Sequence, residues 1–109
     1  MKKMFILCRR DILPLNHCAV QCSHSVSEFM FEYGHKENVS DWVKNHKTMI
    51  LLSASEKQIN EMKDEYTRRG LSFKTFIEPD MSYAETATTF EPLTNEDSRG
   101  LFSHLSLLR

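Results

Sequence analysis

Three polar side chains that could take part in chemistry occur at helical spacing near the start of the chain. His17, Gln21 and His24 are four and three residues apart, so on a helix they lie along one face. An imidazole titrates near pH 6.5 when unperturbed, which suits histidine to exchange protons at neutral pH. The exposed amides of the first helical turn would also offer a site for a phosphate. The pattern indicates the wall of a binding or catalytic site.

A helix over residues 16–34 is predicted to carry these side chains. Asn16 is a favourable N-cap and Gly34 a favourable left-handed stop. A purely structural interpretation stays open, in which His17 is solvated while Gln21 and His24 make local hydrogen bonds. The apolar residues of the helix fall on a neighbouring stripe that is predicted to face the core, namely Leu15, Ala19, Cys22, Val26, Phe29, Met30 and Tyr33.

A metal site and a disulfide framework are both disfavoured by the three cysteines. An odd count of Cys8, Cys18 and Cys22, in a chain that begins without a secretion signal, argues against paired cysteines. Cys18 and Cys22 stand four residues apart near two histidines, which suggests zinc. Ligands crowded onto one helix rarely complete a tetrahedron, however. We therefore predict no metal site.

Composition indicates one ordinary globular domain over residues 1–109. The formal net charge is −1 and 27% of the residues are charged, which excludes a polycation that coats nucleic acid. Any contact with nucleic acid would use a local patch. The apolar run over residues 4–8 is too short for a signal peptide or a membrane span, so we expect a cytoplasmic protein that does not contact membranes.

The remaining elements must bring a sheet against this helix. Apolar runs predict buried strands over residues 3–9 and 47–52, and alternation predicts a half-buried strand over 71–77. A last strand over 86–90 is predicted to end at Pro92. Because a strand feeds the helix through a short loop, the helix begins at the carboxyl end of that strand, where ligands of α/β sheets usually bind.

Three further helices complete the predicted fold. A short one begins at Ser40, a long one follows the capping box of Ser55 and Gln58, and a final one begins at Thr94. The order of elements predicts an α/β fold, a three-layer sandwich in which helices cover both faces of a mixed four-stranded sheet.

The segment Arg9-Arg10-Asp11, followed by Ala-Val-Gln-Cys-Ser-His over residues 19–24, resembles the start of the type 2 peptidyl-tRNA hydrolase family. Trp42, the helix from Ser55, Asp80 and the closing residues 104–108 also fall where that family has counterparts. The resemblance implies an enzyme that hydrolyses the ester between a peptide and the 3′ ribose of tRNA. It also implies a homodimer and no cofactor.

The resemblance assigns residues to the family's cleft and also shows departures from it. Asp80 matches the family's aspartate and Thr86 matches a threonine before the last strand, while His17 occupies the position of a lysine. The segment from Asp80 to Thr86 is short, and Ala84 stands where another threonine is expected. The chain therefore looks like a divergent, shorter branch. The alternative function is a catalytically inactive member that binds RNA or a protein.

Ester hydrolysis needs a positioned water, a base, and a donor or cation for the developing oxyanion. Asp80 is the candidate to orient or deprotonate water, and Thr86 the candidate to hold it or to donate a hydrogen bond. His17 could be the base or, when protonated, supply positive charge. Weak, salt-sensitive phosphate contacts at the mouth of the cleft are expected from three basic residues, Arg9, Arg10 and Lys47. The polar side chains of Gln21 and His24 are candidates to bind substrate or to support the site.

Overall fold

A mixed sheet of five strands runs through the molecule, and the computed structural model describes all 109 residues. The spatial order is β3-β4-β1-β2-β5; β1 and β2 are parallel and every other pair is antiparallel. The strands are β1 (Lys2–Cys8), β2 (Thr48–Ser53), β3 (Phe73–Glu78), β4 (Ala84–Thr94) and β5 (Ser106–Leu107). The predicted count of four strands was one too low. β5 spans only two residues that pair with Leu52 and Ser53, too few to produce a periodic pattern.

Four helices connect the strands: α1 (Leu15–Tyr33), α2 (Glu37–Asn45), α3 (Glu56–Arg68) and α4 (Asn95–Ser98). The capping box before α3 is confirmed, because the Ser55 hydroxyl accepts from the Gln58 amide at 3.2 Å and the Gln58 side chain accepts from the Ser55 amide at 2.9 Å. The predicted cap of α4 is also confirmed, because the Thr94 hydroxyl accepts from the Asp97 amide at 3.0 Å. The predicted starts of α1 and α2 were displaced. α1 follows Pro14, without a side-chain cap, and α2 follows Lys36, which places Ser40 inside it. None of the helices is both long enough and apolar enough to cross a membrane.

Alternate residues of β1 belong to two separate hydrophobic clusters. Met4 and Ile6 pack with buried residues of α1 and α2, on what we call the α1 face of the sheet. Phe5 and Leu7 pack with buried residues of α3, on the α3 face. This alternation is expected of a strand that is buried on both sides.

The buried stripe of α1 is rotated from the predicted one. Leu15 and Ala19 are exposed, while two polar residues, Gln21 and Ser25, face the sheet. Both find partners there: the Ser25 hydroxyl lies 2.8 Å from that of Thr89, and Gln21 bonds to Thr86. Polar burial is tolerated because every buried side-chain nitrogen or oxygen has a hydrogen-bond partner.

β4 contains one extra residue opposite β3. Phe76 pairs with Ala87 and Ile77 pairs with Glu85, so Thr86 has no partner on β3. Such a β-bulge redirects the inserted side chain. Ala87 lies on the α1 face, and regular alternation would direct Thr86 to the α3 face. The bulge instead brings the Thr86 hydroxyl to Gln21 on α1.

A second irregularity explains why β4 continues through Pro92. The register with β1 shifts where Phe5 pairs with Phe90 and Lys3 pairs with Leu93. A proline is compatible with a strand at such a bulge, where no ladder amide is needed. The prediction that Pro92 ends the strand was therefore wrong.

Glu91, next to this second bulge, is only 4% exposed. Its carboxylate accepts hydrogen bonds from Lys36 Nζ at 2.7 Å, from the Ser72 amide at 2.9 Å and from Asn38 Nδ2 at 3.1 Å. Burial alone would raise the pKa of Glu91, but the hydrogen bonds from these three donors outweigh it and hold the pKa below its ordinary value. Glu91 therefore stays ionised inside the protein and ties α2 to β3 and β4.

Candidate functional site

One edge of the sheet gathers most of the polar residues singled out from the sequence. β1, β2 and β3 end at this edge and β4 begins there, because β4 is antiparallel to β1 and β3. The loop after β1 crosses the edge, with the Arg9 amide donating to the Thr86 carbonyl at 2.9 Å, and leads into α1. The first turns of α1 consequently face the connection between β3 and β4.

A cavity of about 250 Å³ lies between α1 and that connection. It brings together three of the predicted site residues, His17, Gln21 and Asp80. His17 and Asp80 are exposed, and the Asp80 carboxylate makes no hydrogen bond or ion pair within the chain. Both are thus free to meet a bound molecule. The other lining residues are Leu13, Val20, Glu78 and Met81.

Thr86 lies behind the cavity wall. It is fully buried and does not line the cavity. Its hydroxyl donates to Gln21 Oε1 at 2.6 Å. Because a hydroxyl carries a single proton, Thr86 in this arrangement has none to donate to a substrate. The structure thus separates Thr86 from His17 and Asp80, with which it was grouped as catalytic.

Glu78 is the functional candidate that the sequence did not reveal. Its carboxylate accepts from Gln21 Nε2 at 2.8 Å and from the Asp80 amide at 3.1 Å. These two hydrogen bonds, that of Gln21 first, lower the pKa of Glu78. The sequence could have indicated Glu78 as a site residue, because its carboxylate ends a strand and directly precedes Pro79 and Asp80. From this segment, only Asp80 was predicted to belong to the site.

The family model described as Peptidyl-tRNA hydrolase PTH2 matches residues 2–108. The chain belongs to the type 2 peptidyl-tRNA hydrolase family. No curated protein matches the chain. Among solved structures, it is similar to a protein of unknown function from Agrobacterium tumefaciens, with 13% identity and a TM-score of 0.53 over 98% of this chain and 82% of the other. At that identity the similarity shows the α/β fold alone.

The two arginines that were predicted to contact phosphates, Arg9 and Arg10, bind other groups of the chain in this structure. Arg9 donates two 3.0 Å hydrogen bonds to Asp11 and lies 3.6 Å from Glu56. Arg10 donates to the carbonyls of Leu13 and Arg109, at 2.8 and 3.2 Å. Both guanidinium groups are therefore occupied by the chain itself.

Lys47 and His24 lie away from the cavity. Lys47 directly precedes β2, whose first residue, Thr48, pairs with Lys3 at the start of β1. Six strand residues, roughly 20 Å, separate it from the cavity edge, so the expected role of Lys47 at the mouth of the site has no structural basis. The His24 ring stacks on Phe76, with ring centroids 4.6 Å apart, and does not line the cavity.

The three cysteines of this hydrolase-family chain are free thiols in the interior. Burial raises the pKa of Cys18 to about 12, and a hydrogen bond with Cys22, followed by burial, raises that of Cys8 further. Cys8 and Cys18 are therefore protonated and unreactive at neutral pH. No three His, Cys, Asp or Glu side chains come together in a way that could hold a metal ion.

Proposed function

We propose that this chain hydrolyses the ester bond between a peptide and the 3′ ribose of tRNA. The family match over residues 2–108 is the observation that carries the proposal. The cavity supports it, because it joins an uncompensated carboxylate, Asp80, with an exposed imidazole, His17. Fold alone would not suffice, since members of one fold differ in function.

In this proposal Asp80 and His17 act on the attacking water. The Asp80 carboxylate orients the water or takes its proton, and His17 either serves as the base or, when protonated, stabilises the oxyanion. The first turn of α1 has no acidic residue and no capping side chain, so its amides can receive a phosphate of the substrate. Gln21 supports the cavity wall, and His24 supports the site through its contact with Phe76.

We expect tRNA to be held weakly and without reading of its sequence. Arg9 and Arg10 can contact phosphates only in competition with their intramolecular partners, and the formal net charge of −1 adds no long-range attraction. The proposal also includes a single domain over residues 1–109, a cytoplasmic location, a homodimer, no cofactor and a three-layer sandwich. The separate hydrophobic clusters on the two faces of β1 support the layering.

The experiment is hydrolysis of an N-acetylated aminoacyl-tRNA by the wild type and by Asp80→Ala and His17→Ala. We expect each variant to lose activity by roughly 10²- to 10⁴-fold, the usual effect of removing a general acid or base. Asp64→Ala, an exposed aspartate on α3, is the matched control and should retain full activity. An inactive wild type that binds tRNA would identify a non-hydrolytic RNA-binding member, and absence of both would favour a protein partner.

A further inference from the structure

An uninterrupted chain of hydrogen bonds runs from the bulge in β4 to the segment that carries Asp80. The Thr86 hydroxyl donates to Gln21 Oε1 at 2.6 Å, and Gln21 Nε2 donates to Glu78 Oε2 at 2.8 Å. The other carboxylate oxygen, Glu78 Oε1, accepts from the Asp80 amide at 3.1 Å. We call these three side chains the Thr86 relay. It connects the interior of the sheet with the cavity.

The chemistry of the partners fixes the direction of every bond in the relay. An ionised carboxylate can only accept hydrogen bonds, so the Gln21 amide must present its NH₂ group to Glu78. The Gln21 oxygen then faces Thr86, whose hydroxyl must donate. Gln21 thus has one amide orientation that satisfies both neighbours, and the relay holds Glu78 in one position.

The segment that Glu78 binds, residues 79–83, has an unfavourable backbone conformation that other parts of the structure must stabilise. Glu78 caps the 3-10 turn Pro79–Met81 by accepting the Asp80 amide. Directly after the turn, Ser82 and Tyr83 both adopt left-handed conformations, with φ of 55° and 61°. Two consecutive left-handed residues other than glycine are unfavourable and persist only where the surrounding structure imposes them.

We propose that Thr86, Gln21 and Glu78 are positioning residues that fix the Asp80 carboxylate over the cavity. The bulge serves this purpose, because it is what turns Thr86 from the α3 face to the α1 face. This inference rests on the proposed function for its kinetic consequence, but not for its structural one. Thr86 acts through Gln21 and Glu78 and does not touch the substrate.

The test compares Thr86→Val with Thr86→Ser and with Thr89→Val. Valine removes the hydroxyl at nearly constant volume, and serine restores it. Thr89 is a matched control, because it is also a buried threonine of β4 and its hydroxyl bonds to a different α1 residue, Ser25. Two quantities are measured: hydrogen exchange of the Asp80 amide by NMR, and kcat and KM for N-acetylated aminoacyl-tRNA.

We expect Thr86→Val to accelerate exchange of the Asp80 amide and to lower kcat by roughly 10- to 100-fold with KM little changed, since small misplacements of a catalytic group have effects of that size. Thr86→Ser should restore both quantities, and Thr89→Val should change neither. Gln21→Met interrupts the same relay at its centre. Combined with Thr86→Val, it should add little to the effect of either substitution alone.

Unchanged exchange of the Asp80 amide in folded Thr86→Val or Gln21→Met would overturn the relay. So would an equal fall of kcat in Thr86→Val and Thr89→Val without rescue by serine. An inactive wild type is a different outcome, because it refutes the proposed function while exchange at Asp80 still decides the relay. If Thr86→Val does not fold, Gln21→Met provides the same measurement.

Discussion

Lys36 holds the buried carboxylate of Glu91, and its replacement by methionine tests how much that ion pair stabilises the fold. Lys36→Met keeps most of the aliphatic stem but leaves Glu91 with only the Ser72 amide and Asn38 as donors. Breaking a buried pair by removing one partner costs roughly 3–5 kcal/mol. Because the Lys36 side chain is 32% exposed while that of Glu91 is 5% exposed, we expect a smaller loss of about 2–3 kcal/mol in the free energy of unfolding.

The loss of unfolding free energy in Lys36→Met should decrease as the pH is lowered. The folded-state pKa of Glu91 lies below 4.5, its ordinary value. The stabilisation from Glu91 is therefore complete above pH 4.5 and is lost as the pH falls through the folded-state pKa. Below that range Glu91 is protonated in both proteins. The difference in the free energy of unfolding between wild type and Lys36→Met should thus be largest at neutral pH and shrink as the pH falls below 4.5.

Urea denaturation followed by tryptophan fluorescence measures this difference directly. Trp42 is the sole tryptophan and is 2% exposed, so its emission reports the loss of the core. In thermal unfolding the same change should lower Tm by roughly 10 °C for a domain of this size. Lys74→Met is the control, because Lys74 and Glu32 form an exposed pair at 3.0 Å that should contribute less than about 1 kcal/mol. Equal losses in the two variants, or a loss in Lys36→Met that does not shrink at any pH below 4.5 at which both proteins are still folded, would refute the reasoning.

Two further predictions concern α3 and the thiols. Ser55→Ala removes the capping box of α3 and should lower the free energy of unfolding by about 1 kcal/mol in urea denaturation, whereas Ser103→Ala, at an exposed serine, should change it little. No loss at Ser55 would mean that solvent replaces the cap. Cys8 and Cys18 should not react with a thiol reagent in the native protein at pH 7 and should react fully in urea; fast native reaction would contradict their burial and raised pKa.

Sequence patterns correctly predicted the elements whose stabilising residues are close together in the sequence. The apolar runs of β1 and β2 and the capping box at Ser55 depend on residues close in sequence, and each appears in the structure. The starts of α1 and α2 were less well predicted, because helices can begin without a capping side chain when tertiary packing stabilises them. Neither Pro14 nor Lys36 supplies such a cap.

The features that were missed depend on residues distant in sequence. The burial of Gln21 is favourable only because Thr86, 65 residues away, supplies a donor. Pro92 is compatible with a strand only because the register against β1 shifts beside it. The role of Glu78 likewise depends on a residue distant in sequence, since its hydrogen-bond partner Gln21 lies on α1. No periodicity within one segment could have indicated these partners.

Thr86 contributes to the site but has no partner on β3 in the sheet. Glu85 pairs with Lys63 of α3, and Ala87 packs on the α1 face, so these two residues already alternate as direct neighbours in a regular strand would. Thr86 is therefore an extra residue in β4, and the pairing between β3 and β4 continues on both sides of it. Because Thr86 has no partner on β3, we expect that a substitution at this one position can alter the hydrogen bonds of Gln21 in the cavity wall while leaving the pairing of β4 with β3 intact.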